Sequence, residues 1–279
     1  MKVLKVSCGG SFTVAVVKYD TADGVSTMCG KRVVYSWGVL SKGRLGIGNI
    51  NNFRINSKQG YPKSGRLPIY QKRPTCLTSL DECVIVDVSA GRTHALALSS
   101  EGKVFAWGEN TSGQCSFESS KSEEGYCPEC SESSSIWDDI YVPHEVPIFG
   151  AKNQALSIAA GPCHSAATDS KGRLWIWGTN DKKHHTFKTG DDTSDYTRSL
   201  LSGYCRPPSF LSPRIVKSLQ GENVKKVCLG EENGLAITLE GQIYTWGCFD
   251  KVRKYTLQIF LCCLSKLIEQ LCHFFQEYR

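Results

Sequence analysis

The side chains with the widest chemical repertoire in this 279-residue chain are 14 cysteines and 6 histidines. Cys127 and Cys130 in "CPEC" have the C-x2-C spacing of half a zinc site, because thiolates so placed can take two corners of a tetrahedron. His144 and Cys115 are near enough in sequence to be further ligands, but no second C-x2-C pair follows, so free thiols in a loop are expected. His184 and His185 are adjacent, which sends their rings apart in an extended chain and suits a surface role better than metal binding. His94 and His164 are different, because each stands three residues after a glycine, Gly91 and Gly161, in matching segments. Phe12 and Asn233 take the equivalent places in two further segments. No nucleophile or carboxylate recurs with these histidines, so they are read as structural, for instance as donors to a neighbouring backbone. No catalytic, cofactor or resident metal site is expected.

The matching segments define a repeat. Trp-Gly pairs begin at Trp37, Trp107, Trp177 and Trp246, a nearly constant period. Gly91, Gly161 and Gly230 all stand at one offset ahead of Trp107, Trp177 and Trp246, whereas Gly9 stands farther ahead of Trp37 because "YDTADGVSTMCGK" enlarges a hairpin tip. Pro74, Pro143 and Pro213 keep a nearly fixed separation from the glycines that follow them, and the first unit has no room for such a proline.

Each unit reads as four strands. The first starts near the proline, which has no N–H for a ladder and so suits an edge. An alternating strand such as "VIVDVSA" follows, with one face buried. The repeated glycine makes a tight turn. A small-residue strand ("HALALS"), a Gly-containing hairpin ("SEGK") and a strand ending in Trp-Gly ("VFAWG") complete the unit. One such sheet cannot bury both faces, so copies must stack, and radial stacking of four-stranded sheets makes a β-propeller. On this reading the tryptophan is a wedge between blades and the glycine after it lets the strand turn away.

These residues resemble the regulator of chromosome condensation repeat family. The features that carry the resemblance are the small-residue-Gly turn followed by histidine, the "GKVFAWG" strand and the Gly-rich "GRLGIG" after the first Trp-Gly, over roughly Val3 to Gly247. The resemblance implies a seven-bladed propeller that serves as a platform for protein contacts. It also implies that some members act as guanine nucleotide exchange factors for small GTPases, and that others accompany chromatin, ubiquitin ligase or kinase domains.

The chain departs from that pattern. Four Trp-Gly units are present rather than seven, and the first lacks its proline strand, so the expectation is an all-β, partial propeller of about four blades over residues 1–250. A long polar stretch separates each Trp-Gly from the next proline, so long inter-blade loops are expected, and such loops carry binding surfaces. The first insert contains Lys42, Arg44, Arg54, Lys58, Lys63, Arg66, Lys72 and Arg73 without one acidic residue. The second is acidic, from Glu118 through Glu129 to Asp139. The contrast could let one loop meet an oppositely charged partner, although no aromatic interleaving supports direct nucleic-acid binding. In residues 251–279 the period becomes helical, with Leu257, Leu261, Leu264, Ile268, Leu271, Phe275 and Tyr278 spaced 4, 3, 4, 3, 4, 3. A C-terminal α-helix there could dimerise, dock on a partner or cover an open propeller edge, or it could be a terminus unrelated to the blades.

Composition fits a folded protein: 41% hydrophobic, 22% charged, net charge +6, with no apolar run long enough to span a bilayer and no signal peptide. Reduced thiols and a cytoplasmic or nuclear location are expected. The function expected is a non-enzymatic protein-protein interaction platform. The alternative is a guanine nucleotide exchange factor for a small Ras-like GTPase, and the partner expected is another protein, such as a small GTPase or a chromatin protein.

Overall fold

The computed structural model describes residues 1–19, 30–48, 70–116, 139–179, 209–231 and 233–247. They form fifteen strands in four antiparallel sheets. Sheet 1 holds β1 (Lys2–Cys8), β2 (Phe12–Lys18), β3 (Arg32–Val39) and β4 (Tyr70–Cys76). Sheet 2 holds β5 (Ile85–Ala90), β6 (His94–Ser99), β7 (Val104–Gly108) and β8 (Ile140–Glu145). Sheet 3 holds β9 (Ala155–Ala160), β10 (His164–Asp169), β11 (Leu174–Thr179) and β12 (Ser209–Ile215), and sheet 4 holds β13 (Val224–Leu229), β14 (Asn233–Thr238) and β15 (Ile243–Gly247). In every sheet the strands pair in sequence order.

This topology corrects the blade boundaries read from the sequence. Pro74 lies in β4, which pairs with β3, so the proline strand closes the blade before it rather than opening the next. Sheet 1 therefore has its proline strand, and among the described residues it is sheet 4 that has three strands. The physical reason for the outer position is the one expected of proline: β4, β8 and β12 are edge strands, where a missing N–H breaks no ladder. The long inserts are likewise not inter-blade loops. They join β3 to β4, β7 to β8 and β11 to β12 within one sheet, while sheets are joined by short connections, two of which contain 3-10 turns at Thr78–Leu80 and Lys217–Leu219.

Three apolar seams hold consecutive sheets together. Val14, Val16 and Val34 of sheet 1 meet Ile85, Val88, Ala97 and Trp107 of sheet 2. Leu96, Leu98 and Val104 on the opposite face of sheet 2 meet Ile158, Ala167, Trp175 and Trp177 of sheet 3. Ala166, Leu174 and Ile176 of sheet 3 then meet Val224, Val227, Tyr244 and Trp246 of sheet 4. Period-2 alternation makes this possible, because each strand gives one set of side chains to the sheet before it and the other to the sheet after it. The alternation is apolar on both faces of the middle strands, and β6 and β10 are buried throughout.

Residues 251–279, on which the C-terminal helix was expected, lie outside the described residues. Among the described residues no helix is long and apolar enough to cross a membrane.

Candidate interaction surface

The repeated glycines stand at the turns between the first and second strands of each sheet. Gly91 and Gly161 do not have positive φ, so their role differs from the conformational one expected of a tight turn. A Cβ on Gly91 would collide with the Gly161 carbonyl and come within 2.7 Å of the His94 ring, and a Cβ on Gly9 would meet the Gly91 carbonyl. Close approach between neighbouring blades is what excludes a side chain. Backbone hydrogen bonds cross at these points, from Gly10 N–H to the Gly91 carbonyl (3.2 Å) and from Arg92 N–H to the Gly161 carbonyl (3.2 Å). A Cβ on Gly230 would meet Asn233 Oδ1 within its own sheet.

The glycines after the tryptophans act through conformation. Gly38, Gly108 and Gly178 have φ of 125°, 109° and 99°, and each marks a register shift where the third strand pairs with the proline strand. Glycine is suited to such a bulge, which turns the strand end away from the ladder.

His94 and the tryptophans meet in one hydrogen-bonded network. Ser165 Oγ lies 2.9 Å from His94 Nε2 and donates to the Gln114 carbonyl at 2.8 Å; the same carbonyl accepts Trp177 Nε1–H at 2.9 Å. His94, Ser165 and Gln114 are all 0% exposed. The histidine thus bonds a side chain of the next sheet. In the preceding seam Trp107 Nε1–H donates to the Arg44 carbonyl at 3.0 Å, and the places of His94 and Ser165 are held by apolar Phe12 and Ala95. His164 is also buried, against Gly161. Trp107, Trp177 and Trp246 are buried, whereas Trp37 is half-buried on the face of sheet 1 that no described sheet precedes.

Sequence reading missed several members of this framework. Ser7 and Ser89, each two residues before the repeated glycine, accept the N–H groups of Ala90 (2.9 Å) and Ala160 (3.0 Å) from the following sheet. Their signal was present in "VSCGG" and "VSAGR", and Arg44 and Gln114 likewise share a place seven residues after their tryptophans. A second missed cluster surrounds Asp169, which is fully buried at the start of the hairpin to β11. It accepts Arg173 Nε–H at 2.7 Å, Trp175 Nε1–H at 2.8 Å and the N–H groups of Lys171 and Arg173 at 2.9 and 3.0 Å. Burial pushes its pKa up, but these donors outweigh that and hold it below the usual carboxylate range.

The surface chemistry collects at one end of the sheets. Phe12 pairs with Gly38, His94 with Gly108 and His164 with Gly178, so the glycine turns and the exits of the Trp-Gly strands share that end. The inserts return there as well, since Val39 pairs with Tyr70, Gly108 with Ile140 and Thr179 with Ser209. Lys42 of the first insert forms a short ion pair with Glu109 of the second, and Glu109 also accepts the Thr93 hydroxyl at 2.5 Å. Burial raises the Glu109 carboxyl, yet Lys42 and Thr93 bring its pKa below the usual value. Arg44 is nearly buried, which lowers its pKa, while Glu109 and Asp139 oppose that shift. The basic and acidic inserts therefore neutralise each other in part. Arg92 and Glu231, on the turns of sheets 2 and 4, stand 3.8 Å apart and are 66% and 64% exposed.

Cys127, Cys130, His184 and His185 lie outside the described residues. Cys115, considered as a further zinc ligand, is 0% exposed; burial pushes its thiol pKa well up, and its sulfur bonds the Glu109 carbonyl at 3.4 Å. His144 is held in β8 opposite Ala106, where burial lowers its pKa and backbone bonds to Cys115 and Ala106 partly offset the shift. Among the described residues no three His, Cys, Asp or Glu side chains group to hold a metal ion.

The regulator of chromosome condensation (RCC1) repeat matches residues 33–98 and 101–168, and a second form of it matches residues 85–114. The chain is 31% identical over 219 residues to the E3 ubiquitin-protein ligase HERC2 of Mus musculus, covering 77% of this chain and 3% of the ligase. It is 26% identical over 242 residues to the probable E3 ubiquitin-protein ligase HERC6 of Homo sapiens, covering 87% of this chain and 18% of that protein. It thus spans a small part of these relatives. Prp20p from Saccharomyces cerevisiae, whose crystal structure was described with its binding to Gsp1p and histones, superposes with a TM-score of 0.56 at 20% identity, over 88% of this chain and 45% of that one. Repeat match, sheet order and superposition agree that the chain belongs to the regulator of chromosome condensation repeat family and has its β-propeller-like fold.

Proposed function

We propose that this chain is a non-enzymatic platform that binds another protein through the end of the sheets where the glycine turns and inserts meet. The observation that carries this reading is the placement of its reactive groups. The Ser-His contact in the recurring register, Ser165 with His94, is closed to solvent and committed to the inter-sheet network. Nucleophilic catalysis needs a reachable nucleophile with a base beside it. Arg92 and Glu231 on the turns are exposed, and the charged inserts leave the sheets at the same end. A rigid scaffold with variable loops at one end is suited to binding. The partner is a protein, with a small GTPase or a chromatin protein as the first candidates. Cys8, Cys76, Cys83 and Cys115 are free thiols, which supports a cytoplasmic or nuclear setting.

Two measurements test the reading. Affinity capture with the wild-type chain and with Arg92→Glu compares bound proteins directly; loss of a specific partner supports the turn surface, and an unchanged set removes it. Nucleotide release from a panel of small GTPases tests the exchange alternative that family membership supplies. No acceleration is expected, and clear acceleration would replace the platform reading by an exchange factor.

A further inference from the structure

The face of sheet 1 turned away from sheet 2 repeats a contact surface used three times elsewhere in the molecule. One cross-strand row on it runs from Val3 through Val17 to Val33 and the next from Val6 through Ala15 to Tyr35, with Trp37 beyond, opposite Thr13. In the other sheets the places of Val3 and Val6 are held by Ile85 and Val88, by Ala155 and Ile158, and by Val224 and Val227. Those side chains pack on the preceding sheet and are at most 6% exposed, whereas Val3 and Val6 are 53% and 56% exposed. Tyr35 and Trp37 are half-buried, although Phe105 and Trp107 at the same places in sheet 2 are buried. The Tyr35 hydroxyl lies 2.5 Å from that of Tyr19, so its polar tip is engaged and the ring is left as apolar surface. Cys8 N–H and the Gly9 carbonyl hold the places of Ala90 N–H and the Gly91 carbonyl, which bond the Ser7 hydroxyl and Gly10 N–H of the preceding sheet.

We propose that this face docks an acidic partner protein through a segment with aliphatic side chains at its centre and carboxylates at its ends, on a surface separate from the turn end. The aliphatic centre follows from the seams, where the same face meets Val14, Val16 and Val34 in one case and Leu96, Leu98 and Val104 in the next. The carboxylates follow from the rim. The four strands of sheet 1 contain Lys2, Lys5, Lys18, Arg32, Lys72 and Arg73 and no acidic residue. Lys5 is engaged by Asp87 of sheet 2 at 3.6 Å and Arg32 by the Ile85 carbonyl at 3.3 Å, while Lys2, Lys72 and Arg73 are exposed. Lys2 adjoins Val3, and Lys72 and Arg73 fall in the part of β4 that bulges opposite Trp37. An exposed apolar patch with a polar rim marks a protein contact, and tryptophan and tyrosine are the anchors that carry most energy in one. Opposite charge on the partner guides its approach and selects it. The same charge disfavours a second copy of this face, which would bring like charges together. Its aliphatic centre disfavours nucleic acid, which is held on stacked aromatic side chains.

Two fluorescein-labelled peptides test the proposal on the full chain, one with a Leu-Ser-Val-Ser-Leu centre between runs of glutamate and one with the same centre between runs of lysine. By fluorescence anisotropy the acidic peptide is expected to bind to a plateau, and the basic one to bind about tenfold more weakly or less. Val6→Asp should weaken the acidic peptide about tenfold, and Lys2→Glu combined with Lys72→Glu about threefold or more. Val142→Asp, at an exposed valine of β8, should leave it unchanged. Hydrogen exchange of the wild-type chain keeps the test decisive where Val6→Asp does not fold: bound peptide should slow the Cys8 amide and those of β3 while β11 is unaffected. No plateau with the acidic peptide, equal binding of the two peptides, or protection that falls outside sheet 1 overturns the proposal. So does displacement of the peptide by single-stranded DNA at lower concentration than by unlabelled peptide, because the face then takes nucleic acid. A dimer in light scattering that Val6→Asp dissociates overturns it as well, because the occupant is then a second copy.

Discussion

Replacing Ser165 by alanine removes one hydroxyl from the seam between sheets 2 and 3 and leaves His94 Nε2 without the partner it has at 2.9 Å. Both residues are 0% exposed, so water does not compensate, and an abandoned buried polar group costs about 2 kcal/mol. The Gln114 carbonyl loses the serine but keeps Trp177 Nε1–H, so it adds little to that cost. His94→Phe alone removes the imidazole while Ser165 still donates to Gln114, and the larger ring against a hydroxyl costs about 1–2 kcal/mol. The double variant should be far better than the sum. It copies the solution of the first seam, where Phe12 and Ala95 hold the same two places. Its expected cost is about 1 kcal/mol, giving a coupling energy of about 2 kcal/mol between the two sites. Urea titration followed by tryptophan fluorescence measures all four corners of the cycle. Additivity within about 0.5 kcal/mol would refute the argument that this histidine is there to satisfy a neighbouring blade.

Asp169→Asn should destabilise the fold by about 3 kcal/mol, since it removes the anion that Arg173 and Trp175 hold. Because the folded pKa of Asp169 is depressed, its contribution is present above the ordinary aspartate range and is lost as pH falls through the folded value. Thermal melts between neutral and acidic pH should therefore show wild type and variant converging at low pH, and a constant gap would count against the assignment. Gly91→Ala should cost about 2–3 kcal/mol because the new methyl meets the Gly161 carbonyl and the His94 ring. A loss below about 0.5 kcal/mol in the same urea titration would mean that neighbouring blades are not packed as closely as described.

The sequence by itself determined the number of sheets, the strand pattern and the family. The regular recurrence of Trp-Gly and the period-2 alternation are local signals, and covalent order preserves them. It also placed the four tryptophans and the two histidines in one register. What it could not determine was which strand closes which sheet. A proline strand reads equally well as the start of one unit or the end of the previous one, and only the pairing of Tyr35 with Cys76 and Val39 with Tyr70 assigns it to the earlier sheet. The same pairing moved the inserts from between the blades to within them. The glycines show a similar limit: sequence marks Gly91 as special, but a turn and a close approach leave the same letter. The approach of the Gly161 carbonyl, a whole repeat away along the chain, is what distinguishes them. The bonds of Ser165, Ser89 and Gln114 and the pairing of Lys42 with Glu109 belong to that class too. Each joins residues of different blades, and such partners are fixed only when the sheets stack.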